Sequence, residues 1–305
     1  MQETLNFGCL PQEYSAPQSA RVAIVPVPYD GTSTWLKGAD KGPQAIIEAS
    51  ANMELYDIET DSEVYRKGIF TDRPVEQKLS PEDMVEAVRQ EVREHIRKDR
   101  FTVVIGGEHS VSIGSVMAHV EGYGDITVLQ LDAHCDLRDK YEGSKYNHAC
   151  VMARVRELCP ILQVGIRSMD SREKEFLDKS RVFFADDIQL KTQNSKLKTQ
   201  NSKLLAGRPI SNTGWVDQVV AKLPAQVYVT IDLDVFDPSI MPSTGTPEPG
   251  GLLWYEVLAL LRAVCDMKNV VGFDVVELCP DSRNRAPDFM AAKLIYKLLS
   301  YKFKD

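Results

Sequence analysis

Two histidines and four aspartates form the most distinctive chemical group in this sequence. They stand in three short motifs, GGEHS at 106–110, DAHCD at 132–136 and DLD at 232–234. Alternate side chains of an extended segment point to the same side, so the spacing within DAHCD and DLD lets their ionisable groups converge. The candidate ligands are His109, Asp132, His134, Asp136, Asp232 and Asp234.

Bound metal is the natural explanation for such a group. Two imidazoles and four carboxylates cannot be buried side by side without cations, because mutual repulsion would neutralise them or expel them into water. Six ligands suit two divalent ions, particularly if Asp132 and Asp232 bridge both. Carboxylates favour Mg, Ca or Mn and imidazoles favour Zn, Fe, Co or Ni, so the mixture favours manganese. The sequence therefore predicts two Mn²⁺ ions per subunit.

The motifs follow short apolar runs that predict buried parallel strands. These runs are FTVVI at 101–105, ITVLQL at 126–131, VYVTI at 227–231 and NVVGFDVV at 269–276. The last run leads into ELCP, which contains Glu277. Ligands of open α/β sheets bind beyond the carboxyl ends of the strands, so we expect these four strand ends to meet at one site.

Weaker strand patterns and helical patterns alternate along the rest of the chain. Further strands are predicted at 21–27, 161–166 and 181–185, and helices at 43–57, 81–98, 111–120, 170–179, 212–222, 253–264 and 287–301. This alternation predicts one α/β domain over residues 1–305, a three-layer αβα arrangement around a mostly parallel sheet of about eight strands. The polar heptapeptide KTQNSKL at 191–197 is repeated at 198–204, which predicts an exposed loop insertion.

Composition excludes several classes of protein. The 305 residues carry 36 basic and 44 acidic side chains, a net charge of −8 that opposes general binding to nucleic acid. The six cysteines form no CxxC pair, which favours reduced thiols and a cytoplasmic protein. We find no signal peptide and no run of about 18 apolar residues, so no membrane association is expected.

Taken together, the motifs resemble those of the ureohydrolases, the family of arginases and agmatinases. The resemblance rests on GGEHS, DAHCDLR at 132–138, His148 within YNHAC, DLDVFDPS at 232–239, GTPEPGG at 245–251 and DVVELCP at 274–280. It implies an arginase/deacetylase-like fold, and trimers or hexamers are usual in the family. It also implies one manganese held by His109, Asp132, Asp136 and Asp232, and a second held by Asp132, His134, Asp232 and Asp234.

The resemblance implies roles for three catalytic residues. Glu277 would receive the substrate guanidinium, and His148, with a near-neutral pKa, would act as a proton shuttle. A hydroxide bridging the two metals would attack the guanidinium carbon, and Asp234 would accept a hydrogen bond from the tetrahedral intermediate. Glu108 and Asp274 are expected to orient ligands or to make structural hydrogen bonds, and His95 and His119 to be packing residues.

The loop after the metal motif bears on substrate choice. Arginine ends in an α-carboxylate and an α-amine and agmatine in an ammonium, so this loop should differ between their hydrolases. Residues 137–150 are similar to agmatinase loops and lack the Ser/Asn-rich stretch of arginases. We therefore expect hydrolysis of agmatine to putrescine and urea. Asp139 and Glu142 either attract the ammonium or are solvated loop residues.

Several alternatives stay open at this point. Guanidinobutyrate, guanidine and arginine are alternative substrates. An acyl-polyamine deacetylase and a metal-binding regulatory homologue without catalysis are less favoured, because every ligand position is present. Cys135 stands where family members often carry threonine, and we expect its side chain to face away from the ions.

Overall fold

The computed structural model describes residues 5–189 and 214–304. In these ranges the chain forms one sheet of eight strands in the order β2-β1-β3-β8-β7-β4-β5-β6, and every pairing is parallel. The strands are β1 (Val22–Val27), β2 (Ile69–Thr71), β3 (Phe101–Gly106), β4 (Thr127–Leu131), β5 (Ile161–Ile166), β6 (Val182–Phe184), β7 (Gln226–Asp232) and β8 (Asn269–Val276). The predicted 191–204 insertion lies outside the described residues.

Helices connect most of the strands. They are α1 (Gln12–Ser15), α2 (Gly42–Ser50), α3 (Pro81–Arg97), α4 (Val111–Tyr123), α5 (Val151–Val155), α6 (Gly214–Lys222), α7 (Trp254–Met267) and α8 (Ala286–Lys302). Ser80 caps α3 by accepting a hydrogen bond from the Asp83 amide. No helix in the described part of the chain is long and apolar enough to cross a bilayer.

Successive strand residues pack on opposite faces of the sheet. Val103 and Ile105 of β3 lie in the core cluster shared with α2, α6, α7 and α8. Val104, between them, belongs to the cluster shared with α3 and α4. Both faces of the sheet are therefore covered by helices, which explains why the strands are apolar throughout. The predicted three-layer αβα fold is confirmed.

The four strands that precede the polar motifs are neighbours at the centre of the sheet. Strands β3, β8, β7 and β4 follow one another in the sheet order, although β3 and β8 are far apart in the chain. The chain leaves β3 and starts a second half of the sheet at β4, and β7 and β8 later fill the space between. A change of direction of this kind opens a crevice at the strand ends.

The elements that differ from the sequence prediction are short. The edge strand β2 is missed, and the helix predicted at 170–179 is a single 3-10 turn, Ser171–Glu175. The helix predicted at 43–57 ends at Ser50, and α1 and α5 are additional. Elements of three to five residues have too few repeats for a periodic pattern to reveal them.

Candidate metal centre and active site

A row of buried polar side chains crosses the sheet just below the site. The strand register pairs Gln163 with Gln130, Gln130 with Thr230, and Thr230 with Asp274. All four are buried, and we call them the polar row. Two residues farther along β4 and β7 the chain reaches Asp132 and Asp232, so the same register brings these aspartates to neighbouring strand ends.

His109 faces three carboxylates. Its Nδ1 atom lies 3.0 Å from an oxygen of Asp136, 3.2 Å from one of Asp132 and 3.5 Å from one of Asp232. The ring is buried, and these carboxylates are at most 7% exposed. Of the three groups of possible metal ligands in the described part of the chain, this is the first of the two that lie at the strand ends, and the third is formed by Asp72, Glu91 and His95.

His134 lies in the second cluster. Its Nδ1 atom is 2.8 Å from Asp234 Oδ2 and 3.7 Å from Asp132 Oδ1. Asp132 therefore directs one carboxylate oxygen to each histidine, Oδ2 to His109 and Oδ1 to His134. A carboxylate with one oxygen on each side is suited to bridging two cations.

The hydrogen bonds behind His109 indicate which ring nitrogen carries the proton. The Thr230 hydroxyl donates to Asp274 Oδ1 over 2.6 Å, so its oxygen remains as acceptor for His109 Nε2, 2.9 Å away. A neutral imidazole with its proton on Nε2 presents a lone pair at Nδ1. His109 Nδ1 is a buried atom with no well-formed hydrogen bond. In this form Nδ1, which faces three carboxylates, can bind a cation in place of a proton.

The electrostatics of the clusters also fit bound cations. Burial, followed by the charge of Asp132, raises the pKa of Asp136 to about 7. Burial, followed by the charges of Asp234, Asp132 and Glu277, raises the pKa of Asp232 well above its ordinary value. Burial by itself would lower the pKa of His109, but Asp132 and Asp136 raise it well above its usual range. Divalent ions would supply the positive charge that offsets burial and mutual repulsion of these carboxylates.

Further contacts hold the ligands in place. Gln130 Nε2 donates to Asp132 Oδ2 over 2.7 Å, and the Ala133 amide donates to Asp234 Oδ1 over 2.9 Å. The Arg167 guanidinium donates to the carbonyl oxygens of Asp234 and Glu248, at 2.6 and 2.8 Å. Arg167 therefore ties the segment after β7 to the 245–251 loop.

A cavity of about 440 Å³ opens above the two clusters. Glu277 lines it, and its Oε1 accepts a 2.7 Å hydrogen bond from the His109 amide. Its Oε2 lies 3.5 Å from the point that a Cβ of Gly245 would occupy, so the absence of a side chain at Gly245 leaves space beside the carboxylate. Burial, followed by the charge of Glu108, raises the Glu277 pKa well above its ordinary value, which favours a bound cation here.

Two of the site carboxylates have strained backbones. Asp136 and Glu277 have φ values of 51° and 66°, in the left-handed region that side chains other than glycine rarely adopt. Such conformations cost about 1–3 kcal/mol each and persist where surrounding contacts impose them, often at functional sites.

His148 also lines the cavity and is held by Thr32. The Thr32 hydroxyl oxygen accepts from the His148 amide over 2.9 Å and lies 3.2 Å from its Nδ1. Burial, with smaller contributions from the charges of His109 and His134, lowers the His148 pKa to about 4. The expectation of a near-neutral pKa is therefore wrong, because burial disfavours the charged form of the ring.

The other candidates of the sequence analysis have structural contacts. Glu108 accepts from the amide and hydroxyl of Ser110, and Asp139 pairs with Arg154 over 2.7 Å and does not line the cavity. Cys135 is buried with its sulfur 3.7 Å from the Met169 sulfur, and burial raises its pKa strongly. Glu142 is exposed and also lies outside the cavity lining.

His119 and His95 are packing residues, as the sequence predicts. The His119 ring nitrogens lie 2.8 Å from Thr102 Oγ1 and 2.7 Å from the Ser115 carbonyl oxygen. His95 Nε2 lies 2.8 Å from Asp72 Oδ2.

Sequence reasoning missed Gln130, Thr230, Thr32, Arg167 and Trp35. For Gln130 and Thr230 a signal was present, because each is a polar residue in an apolar strand two positions before a candidate ligand. Arg167 directly follows β5, so the strand-end argument applied to the other motifs would have found it. Thr32 and Trp35 lie in a long loop with no comparable pattern.

A family model described as "Arginase family" matches residues 20–300. The chain belongs to the arginase family. This confirms the predicted resemblance to ureohydrolases, most like agmatinases.

Members of the arginase family with high similarity are named for hydrolysis of guanidino compounds. An N(1)-aminopropylagmatine ureohydrolase of Synechocystis is 38% identical over 92% of this chain and 89% of its own length. An agmatinase of Pyrococcus horikoshii is 32% identical over 92% of each protein. A solved agmatine ureohydrolase of Thermoplasma volcanium superposes with a TM-score of 0.80 at 28% identity, covering 100% of this chain and 95% of that one. The predicted enzyme class, a ureohydrolase, is confirmed at the level of the family.

Proposed function

We propose that this arginase-family protein hydrolyses a guanidino compound with a cationic alkylamine tail, agmatine or its N1-aminopropyl derivative, to urea and the corresponding amine. The observation that carries the proposal is Glu277, a buried carboxylate that lines the cavity beside both ligand clusters. A guanidinium stays protonated at biological pH and offers paired, planar donors, so a carboxylate both neutralises and orients it.

The proposed metal ligands are those implied by the resemblance. His109, Asp132, Asp136 and Asp232 would hold one Mn²⁺, and Asp132, His134, Asp232 and Asp234 would hold the other. The lone pair of His109 Nδ1 and the split orientation of Asp132 support this assignment. When bound, the cations supply the Lewis acidity that lowers the pKa of a nearby water.

The residues of the chain position the substrate and move protons. Glu277 Oε1 is held by the His109 amide, so the carboxylate keeps a fixed orientation towards the guanidinium. Asp234, fixed by Ala133 and His134, would accept a hydrogen bond from an NH₂ group as the carbon becomes tetrahedral. The departing amine must gain a proton, and His148 lines the cavity for that transfer.

The low pKa of His148 determines its protonation state before this proton transfer. Its ring is neutral at rest, and with Nδ1 beside Thr32 its Nε2 is the nitrogen that remains for the cavity. His148 would therefore take up a proton within the cavity and pass it on during the reaction, without storing it beforehand.

The decisive experiment measures urea release by the Mn-loaded protein with aminopropylagmatine, agmatine and arginine at equal concentrations. Preference for the two amines over arginine supports the proposal. Preference for arginine would keep the reaction and overturn the proposed tail. The absence of urea with every substrate, guanidinobutyrate and guanidine included, would overturn the proposed function.

A Glu277→Gln variant tests the guanidinium site directly. Loss of the negative charge should lower kcat/KM by about 100-fold or more, since a charge-assisted pair contributes several kcal/mol in a buried site. Bound manganese, measured by atomic absorption, should be unchanged. Glu142→Gln is the matched control, because Glu142 shares a positive φ but lies outside the cavity lining. Normal turnover by Glu277→Gln would remove the proposed role.

A cytoplasmic location and a trimeric or hexameric assembly remain predictions from the sequence.

A further inference from the structure

Trp35 is a large aromatic side chain left exposed at the mouth of the cavity. It is 74% exposed, whereas Trp215 is 4% exposed and Trp254 packs against the core. Trp35 lines the same cavity as Glu277 and His148. Exposed aromatic surface that borders a polar cavity is typical of a contact made with a ligand.

The loop that carries Trp35 is anchored on both sides. Before it, Thr32 contacts the amide and the ring of His148. After it, Asp30 Oδ2 accepts hydrogen bonds from the Gly38 and Ala39 amides, at 2.6 and 3.3 Å. The Leu36 carbonyl oxygen lies 3.6 Å from the Cβ position of Gly245, close to Glu277. The loop thus holds Trp35 at the rim of the cavity that Glu277 also lines.

Asp170 and Glu173 line the outer wall of the cavity, and their carboxylates already have partners. Asp170 binds Arg172 over 3.0 Å and Arg138 over 3.2 Å. Glu173 accepts from the amides of Leu137 and Asp170, at 2.7 and 2.6 Å. Among the described residues of this wall, no carboxylate is therefore left for a second positive charge on the substrate.

The aromatic side chains of the wall differ in whether another ring or a cation already covers them. The Tyr141 ring has the Arg138 guanidinium 4.5 Å from its centroid. The Trp35 ring, in contrast, has no ring or cation stacked on it among the residues that the structure describes. The neighbouring Ser33 Oγ is a buried atom without a hydrogen-bond partner, and it lines the same cavity.

We propose that Trp35 determines specificity by binding a protonated amine of the substrate tail on its indole face, with Ser33 Oγ as a hydrogen-bond acceptor. The inference rests on the proposed function, since it concerns the far end of the same substrate. Tryptophan is the strongest aromatic partner for an ammonium group, and such contacts strengthen when they are partly desolvated. The substrate class that Trp35 would select is a guanidino compound whose alkyl tail carries one or more amines.

Kinetics of Trp35→Ala, Trp35→Leu and Trp35→Phe test the proposal with aminopropylagmatine, agmatine and N-butylguanidine. Trp35→Ala and Trp35→Leu should raise KM for the two amines about 2- to 30-fold with kcat nearly unchanged, and Trp35→Phe should restore most of the affinity. For Trp35→Leu, KM for N-butylguanidine, which lacks an amine, should change less than about twofold. Tyr255→Ala is the control, because Tyr255 is 81% exposed but lies outside the cavity lining.

A binding measurement separates this proposal from the proposed function. Spermidine, which carries amines but no guanidinium, should protect wild-type tryptophan fluorescence from acrylamide quenching, and no such protection should occur in Trp35→Phe. This result would support the amine contact even if the protein released no urea. Equal rises in KM for N-butylguanidine and agmatine, a change of oligomeric mass in Trp35→Ala, or no protection by spermidine would each overturn the proposal.

Discussion

At the scale of single residues, the contact with Thr230 determines which ring nitrogen of His109 can bind a metal. Its hydroxyl donates to Asp274 and leaves its oxygen to accept from His109 Nε2. Neither Thr230 nor Asp274 lines the cavity, yet together they leave the lone pair of His109 on Nδ1. The Tyr228 hydroxyl also donates to Asp274, so the carboxylate that anchors this chain is itself fixed.

We therefore expect Thr230→Val to weaken Mn²⁺ binding by about 10- to 100-fold, because the His109 ring loses the contact that sets its tautomer and orientation. Titration calorimetry or the electron paramagnetic resonance signal of free Mn²⁺ measures this affinity. Thr102→Val is the matched control, since Thr102 makes the corresponding contact with His119. Equal affinity in the Thr230 and Thr102 variants would contradict the role of Thr230.

His119 gives the protein a pH dependence that is separate from catalysis. Burial lowers its pKa to about 4, below the 6.5 of an exposed histidine. Between these values the unfolded chain binds a proton that the folded chain does not, so stability falls as the pH falls through this window. The loss approaches about 3 kcal/mol near pH 4.

A His119→Gln variant should show a shallower decline of the free energy of unfolding between pH 6.5 and 4 than the wild type. Urea denaturation of the metal-free proteins measures the slopes and avoids the pH dependence of metal binding. Parallel slopes in the two proteins would show that His119 is not the titrating group.

At the scale of elements, helices α3 and α4 meet at Gly114. A Cβ at this position would lie 2.2 Å from the Val85 carbonyl oxygen and 3.0 Å from the Arg89 amide nitrogen. Both atoms belong to the backbone of α3 and cannot move without moving the helix. The close packing also places the start of α4, which follows His109, at a fixed distance from the sheet.

Gly114→Ala should therefore destabilise the fold by about 1–3 kcal/mol, despite the better helix propensity of alanine. Thermal and urea denaturation measure the effect. Gly214→Ala, at a position where no atom of the described residues lies within 4 Å of the new Cβ, should be neutral or slightly stabilising. A similar response of the two variants would argue against close contact between α3 and α4.

The elements also show how far sequence reasoning reaches. The prediction of β8 at 269–276 agrees with the structure residue for residue, because four valines and Phe273 make this segment strongly apolar. The three-residue strand β2 was missed, since its pairing with β1 and not its own pattern makes it a strand. Local patterns identify long elements, and tertiary contacts define short ones.

The same distinction holds within the candidate site. Asp132, His134 and Asp136 could be grouped from their spacing alone. The contact between Thr32 and His148 joins positions 116 residues apart and has no local signal. The paired state of Asp139 was equally invisible, because Arg154 approaches it only through the turn formed by α5.

At the scale of the whole molecule, repulsion among the buried carboxylates of the ligand clusters opposes folding. The pKa of Asp232 is raised well above its usual value by burial and by neighbouring carboxylates, so this group opposes folding in the absence of cations. Ions that bind only the folded chain reverse this effect, and at 100 times the dissociation constant they add about 2.7 kcal/mol.

Asp232→Asn should consequently raise the Tm of the protein in EDTA. Mn²⁺, which we expect to raise the Tm of the wild type, should raise the Tm of this variant much less. Differential scanning calorimetry with and without Mn²⁺ measures both quantities. Asp217→Asn, a change at an exposed position of α6, is the control and should alter neither. A lower Tm of Asp232→Asn in EDTA would show that the carboxylate stabilises the metal-free fold.

The insertion of β7 and β8 between β3 and β4 has a consequence for biosynthesis. While the ribosome is still translating the first half of the chain, β1 to β3 and β4 to β6 can form two strand groups with no ladder between them. His109 then belongs to one group and Asp132, His134 and Asp136 to the other. Only when the nascent chain has supplied residues 226–276 do the groups join, so the complete set of ligands is assembled late in synthesis. Cation loading should thus report completion of the chain, and fragments released early should fail to form the proposed metal centre.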